Sequence, residues 1–281
     1  MKIGIVGYGF VGKALHGGIH SSLNVLLVDP KLNTTEDDLY SFKPDIIFVC
    51  VPTPMGDDGN QDLKILNSVI SKLKNKATNC PIVLKSTILP DALTSIEAYI
   101  PNIIYNPEFL REKHADYDFI NSNLIVIGGE DKDSMDLTEN FYRNCTICKC
   151  NDFIRTDLTT ASILKFTINS FLATKVSFFN EVNQVFERAN AKDSWENFVK
   201  YLSKDIRLGG SHMSVPGHDG KLGFGGACLP KDSRAFNKYA NLHKLKLNVL
   251  SSAISVNNSI RQQYAENERE LDQNISFNTN D

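Results

Sequence analysis

Residues 2–15 read Lys2-Ile3-Gly4-Ile5-Val6-Gly7-Tyr8-Gly9-Phe10-Val11-Gly12-Lys13-Ala14-Leu15, and this stretch decides the fold. A short apolar, β-branched run stops at Gly7, and a G-x-G-x-x-G spacing then opens a helix-forming segment. Each glycine answers a different need. Gly7 permits the tight turn, Gly9 lets the backbone approach a pyrophosphate, and Gly12 allows helix and strand to pack closely, while the helix N-terminus presents unpaired N–H groups to an anion. Asp29 ends a second apolar run roughly 20 residues further on, placed to accept both ribose hydroxyls. An acid there favours NAD over NADP, because it would repel a 2′-phosphate. A glycine-rich turn alone can be merely structural; strand, spacing and acid together point to a dinucleotide.

Working outward, apolar runs recur at 25–29 (VLLVD), 45–51 (DIIFVCV), 81–87 (PIVLKST), 102–109 (NIIYNPEF) and 124–129 (LIVIGG), giving six strands with the first. Their near-continuous hydrophobicity suits strands covered on both faces, with helices over 11–20, 61–76, 90–100 and 133–143 between them. The expected fold class is α/β: a Rossmann-like doubly wound parallel sheet over residues 1–155, followed by an all-helical domain over 156–271 and a disordered tail at 272–281. From Leu158 to Asn190 the chain carries neither Gly nor Pro and reads as one long helix. At ~1.5 Å per residue it would be about 45 Å long, enough to leave the first domain and support a second domain or a partner subunit. A helix from Trp195 to Lys204, a Gly-rich loop from Leu208 to Gly226 and helical sequence from Lys231 to about Leu271 follow.

The composition excludes several classes. With 42% hydrophobic and 22% charged residues the chain is globular, not low-complexity. A net charge of −3 without a basic block argues against nucleic acid or an anionic membrane as partner. No apolar run approaches the ~18 residues of a membrane span. Cys50, Cys80, Cys145, Cys148, Cys150 and Cys228 show no disulfide spacing, and no leader precedes the first strand, so a reducing, cytoplasmic compartment is expected. The Cys145-x-x-Cys148-x-Cys150 run lacks a second ligand pair and is assigned to the last strand of the first domain. His212 and His218 are taken as loop residues, so no metal is expected.

Other segments carry chemistry. In Gly223-Phe224-Gly225-Gly226-Ala227-Cys228-Leu229-Pro230-Lys231-Asp232 a lone cysteine sits in a loop at a helix start. Backbone N–H groups and Lys231 would favour its thiolate, and Asp232 lies one turn on; a cysteine after glycines can equally be structural. Asn106-Pro107-Glu108-Phe109-Leu110-Arg111-Glu112 ends a strand, where ligands bind in open α/β sheets, and Glu108 and Glu112 are candidates for acid–base work. Lys165 and Asn169 share a helix face at i, i+4 and could offer a cation and an amide to a developing oxyanion.

The glycine turn, Asp29, STILP at 86–90, NPEFLRE at 106–112, K-x-x-x-N at 165–169 and GFGGACLPKD at 223–232 occur in this order. Together they resemble the UDP-glucose 6-dehydrogenase family of nucleotide-sugar dehydrogenases over roughly residues 1–260. The resemblance implies oxidation of a sugar hydroxymethyl group to a carboxylate, with two NAD reduced in succession. Cys228 matches the family nucleophile, which forms a thiohemiacetal and then a thioester. Lys165 and Asn169 match the oxyanion pair, Asp232 with Thr87 the groups that position water and move protons, and Glu108 the carboxylate assisting hydrolysis. Gly7, Gly9, Phe10, Val11, Gly12, Asp29, Thr53, Thr87, Glu112 and Lys231 match cofactor positions. Glu108, Leu110, Lys165, Asn169, Gly225 and Arg207 match substrate positions, Arg207 serving the neighbouring subunit of a homodimer built on the long helix. NPEFLRE and GFGG favour UDP-glucose as the substrate.

Family members continue into a third α/β domain that holds the uridine diphosphate, whereas no β and α alternation follows Leu271; the resemblance is therefore to a short form. An active minimal dehydrogenase, an enzyme of another sugar or one completed by a partner chain, and an idle NAD-binding module are the readings carried forward.

Overall fold

The computed structural model describes residues 1–75 and 80–277, which divide into two units. The first comprises Met1–Thr53 and Asp62–Lys165, the second Pro54–Gln61 and Phe166–Asp281.

Seven strands build the first unit: β1 (Lys2–Val6), β2 (Asn24–Val28), β3 (Ile46–Val49), β4 (Ile82–Leu84), β5 (Ile103–Tyr105), β6 (Ile125–Gly128) and β7 (Phe153–Thr156). Their order is β2-β1-β3-β4-β5-β6-β7, so the winding reverses at β1 and the ends of β1 and β3 lie at the switch point. The six expected strands are all present, and β7 is an addition. All pairs are parallel except β5 and β6, which meet antiparallel through Tyr105 and Gly128. The expected doubly wound parallel sheet thus carries one antiparallel contact. The chain runs on past the C-terminal end of β5 and turns back, so β6 touches only the last residue of β5 and needs no full-length return crossover.

Ile46 and Phe48 pack into one apolar cluster, Ile47 and Val49 into the other, so both faces of the sheet are covered. One face receives α1 (Phe10–Gly18), α5 (Ala115–Ile120) and α6 (Lys132–Cys145); the other receives α2 (Asp38–Phe42), α3 (Lys64–Asn75) and α4 (Pro90–Glu97). The helix read over 61–76 begins three residues later, and Lys76 lies outside the described residues. Cys145 ends α6, and Cys148 and Cys150 sit in the connection before β7. Their assignment to the last strand is thus corrected: they line the sheet's apolar cluster from the loop, where burial pushes the Cys148 and Cys150 thiols up.

Helix α7 (Leu158–Arg188) begins in the first unit and continues in the second. The division falls after Lys165, not at the expected 155, because Leu158 and Ala161 belong to the sheet's cluster and Ser162 Oγ donates to the Ile88 carbonyl. In the second unit α8 (Trp195–Leu202) packs Trp195 and Phe198 against Phe186 of α7, with ring centroids 5.0–5.5 Å apart. The expected run from Lys231 to Leu271 is three helices: α9 (Leu229–Leu242), α10 (Asn248–Arg261) and α11 (Glu268–Leu271). Lys244 at φ 60 breaks the first from the second. The tail reading is corrected for 272–277: Ile275 and Phe277 are buried with Met55, and Met55 N–H donates to the Gln273 carbonyl. Residues 278–281 lie outside the described residues. Among the described residues no helix is long and apolar enough to cross a membrane.

Candidate active site

The three glycines of the first turn separate by what surrounds them. Gly7 has φ +93, and a Cβ there would stand 2.8 Å from the Cys50 carbonyl; a Cβ at Gly12 would collide with the Gly7 carbonyl oxygen. Packing explains both. At Gly9 a Cβ would meet no atom within 4 Å, so nothing in the described chain accounts for glycine there, whereas close approach of a ligand does. Gly9 caps α1, whose first helical hydrogen bond runs from Lys13 N–H to Gly9 O, leaving the N–H groups of Phe10, Val11 and Gly12 ahead of it. This cradle fits a pyrophosphate.

Asp29 follows β2. Its carboxylate is held by two backbone donors, Tyr8 N–H at 2.7 Å and Lys31 N–H at 2.9 Å. It therefore braces the glycine turn and keeps one lone pair on each oxygen for further donors. Thr53, after β3, donates from Oγ1 to the Thr87 carbonyl after β4 at 2.9 Å, so these two buried threonines form one contact. Cys50 is buried in the sheet's apolar cluster, where burial pushes its thiol up to about 12.

Glu108 and Lys165 make the buried charged pair of the sheet unit. Lys165 Nζ donates to Glu108 Oε1 at 3.2 Å and to the Glu108 carbonyl at 2.6 Å, while Glu108 Oε2 accepts from Leu110 N–H at 2.6 Å. The carboxylate is thereby fixed at both oxygens. Glu112 lies in a short 3₁₀ turn, half buried. Beneath Glu108 is an arrangement that reading the sequence missed: buried Lys85 Nζ donates to Asn106 Oδ1 at 2.9 Å and to Tyr142 Oη at 3.0 Å, and Tyr142 donates to the same Asn106 oxygen at 2.6 Å. Asn106 Nδ2 donates in turn to the Val126 carbonyl. A lysine interrupting the apolar run 81–87 was the available signal.

In the second unit Asn169 Nδ2 donates to Asp232 Oδ2 at 2.6 Å, and Lys231 Nζ donates to Asp232 Oδ1 at 2.5 Å. All three side chains are buried. The ammonium of Lys231, expected to serve the thiol, is paired with Asp232. Cys228 is the N-cap of α9, with Pro230 in the first turn, as expected for a helix start. Gly225 packs against Arg261 and Glu270, where a Cβ would collide with both. Arg207 is exposed, with its guanidinium on Asp205 at 2.5 Å.

Residues 18–146 match the NAD binding domain, and residues 159–259 the central domain, of the UDP-glucose/GDP-mannose dehydrogenase family. This chain belongs to that family. Its cofactor is NAD; the glycine turn precedes the matched span. A UDP-glucose 6-dehydrogenase of Rickettsia felis is 35% identical over 218 residues, covering 75% of this chain and 47% of that protein. One from Bacillus subtilis is 31% identical, covering 76% and 49%. The chain thus spans about half the length of these curated relatives. Among solved structures, a UDP-glucose dehydrogenase from Pyrobaculum islandicum shares the fold with a TM-score of 0.75 at 23% identity, over 92% of this chain and 68% of that one. A GDP-mannose dehydrogenase from Pseudomonas aeruginosa has a TM-score of 0.61 at 25% identity, over 92% and 69%.

Proposed function

We propose that the chain is an NAD-dependent nucleotide-sugar dehydrogenase that oxidises the terminal hydroxymethyl group of UDP-glucose to a carboxylate. The observation that carries this is Cys228 at the N-cap of α9, one turn before an Asp232 held by Asn169 and Lys231. NAD, when bound, accepts a hydride in each of the two oxidations. Once the alcohol has become an aldehyde, the Cys228 thiolate adds to its carbonyl carbon and forms a thiohemiacetal. Loss of the second hydride leaves a thioester, which water cleaves to the acid and the free thiol. UDP-glucose, two NAD and one water give UDP-glucuronate, two NADH and three protons.

Lys165 would stabilise the oxyanion at each tetrahedral stage, with Asn169 as an amide donor. Glu108, held between Lys165 and Leu110 N–H, would assist thioester hydrolysis, and Asp232 with Thr87 would orient water and move protons. Phe10, Val11, Thr53 and Glu112 would line the cofactor, and Leu110 and Gly225 the sugar. The names of the curated relatives favour UDP-glucose over other sugars.

A purified protein supplied with a panel of UDP- and GDP-sugars should form two NADH per UDP-glucose. Cys228→Ser should lower net acid formation about 1,000-fold or more while leaving NAD affinity nearly unchanged; full turnover by that variant removes Cys228 from the mechanism. No reduction with any sugar, despite NAD binding, would favour an idle module.

The protein is further read as a homodimer in which Arg207 serves the neighbouring subunit. Phe171, Phe178 and Val185 stand at every seventh position of α7 and are all more than half exposed, an apolar stripe that suits a second copy. Light scattering should give twice the chain mass, and Phe178→Asp should give a monomer; a wild-type monomer defeats this reading. Six cysteines without disulfide spacing suit a reducing cytoplasm, which a cell-fractionation measurement would test.

A further inference from the structure

Arg261 and Glu270 lie beyond the matched family segments and are 1% and 0% exposed. Glu270 Oε1 accepts from Arg261 Nη2 at 2.7 Å and from Gly226 N–H at 2.9 Å, and Oε2 accepts from Asn267 N–H at 2.8 Å. Arg261 Nη1 donates to Asp219 Oδ2 at 2.8 Å. The loop backbone rests directly on the pair, since a Cβ at Gly225 would strike both Arg261 Nη2 and Glu270 Oε1. Asn257 grips the preceding residue at both polar atoms, accepting from Phe224 N–H at 2.6 Å and donating to its carbonyl at 3.0 Å.

Burying an ion pair costs desolvation that apolar packing would avoid, so stability alone is a poor account of it. Its geometry offers a better one. The only backbone donor it takes from the 217–228 loop among the described residues is Gly226 N–H, two positions before Cys228. We infer that Arg261 and Glu270 are positioning residues for Cys228, fixing the Gly225–Gly226 backbone and with it the attitude of the thiol at the N-cap of α9. This rests on the reading of Cys228 as nucleophile.

The test uses the full 281-residue chain. The pH–rate profile of Cys228 alkylation by iodoacetamide, followed by mass spectrometry of its peptide, is measured beside kcat and KM for NADH formation. Glu270→Ala should shift the alkylation profile and lower kcat about 100-fold while KM for NAD changes less than about twofold. Glu270→Gln keeps an acceptor for Gly226 N–H and should restore kcat to within about fivefold of wild type. A folded Glu270→Ala protein with the wild-type profile and kcat overturns the inference, as does a Gln variant no better than Ala. Should the Ala variant not fold, Arg261→Lys keeps the cation but loses the fork between Asp219 and Glu270; about tenfold lower kcat is expected, and an unchanged kcat overturns the inference. Cys228→Ser assayed in parallel separates the two readings. Its full turnover would sink the nucleophile, while the alkylation profile of Cys228 would still report on the pair.

Discussion

Where the sheet unit buries Ile46, Ile47, Phe48 and Val49 in succession, the helical unit buries Asp232, Arg261 and Glu270 to the same depth. Both large apolar clusters belong to the sheet unit, which also buries Lys85, Glu108 and Lys165, while among the described residues the helical unit has the small cluster of Met55, Ile275 and Phe277 beside buried Phe166, Phe179, Leu250 and Ile254. The difference teaches how each supports its chemistry. Apolar packing is non-directional and tolerates exchange at constant volume, so the sheet is a platform whose loops can carry a cofactor cradle without being part of its core. Buried charges must meet partners at set distances or lose several kcal/mol, so the helical unit ties the conformation of its cysteine loop to its own folding.

The contrast can be broken at named positions. Ile47→Ala, in the middle of the sheet, should cost about 2–5 kcal/mol in denaturant unfolding. A cost below about 1 kcal/mol would mean that the sheet is less tightly packed than its burial implies. Gly12→Ala drives a methyl into the Gly7 carbonyl and should cost about 1–3 kcal/mol, read in the same way. Gly9→Ala meets nothing, so stability should stay within about 0.5 kcal/mol while NAD affinity, measured by calorimetric titration, falls about tenfold or more. A Gly9→Ala protein that binds NAD normally would detach the cradle from the cofactor; one that unfolds would show that Gly9 is structural after all.

Much of this was legible along the chain. The β-branched runs mark six strands because a strand buried on both faces needs no alternation, and the turn from β1 into α1 is legible because its glycine spacing is local. β7 is invisible for the opposite reason: Phe153-Ile154-Arg155-Thr156 is partly exposed and carries an arginine, so no apolar run announces it. The break between α9 and α10 hides because Lys244, not glycine, takes the left-handed conformation there. Among the candidate residues, Lys165, Asn169 and Asp232 are visible as residue types, but their partners are not. Glu108 and Lys165 are 57 residues apart, and Gly226 and Glu270 are 44 apart. A buried polar group is satisfied by whatever the fold brings to it, and helical or strand periodicity carries no record of that.

The Pro54–Gln61 segment, bridged at Met55 and Gln61, leaves the sheet unit between β3 and α3 and joins the helical one. The chain consequently crosses the division after Thr53, after Gln61 and again after Lys165. No single scission of the polypeptide yields both units whole. A cut after Lys165 would strand Met55 on the sheet fragment, away from Ile275, Phe277 and the Gln273 carbonyl that its amide engages. The two units are inseparable in their threading.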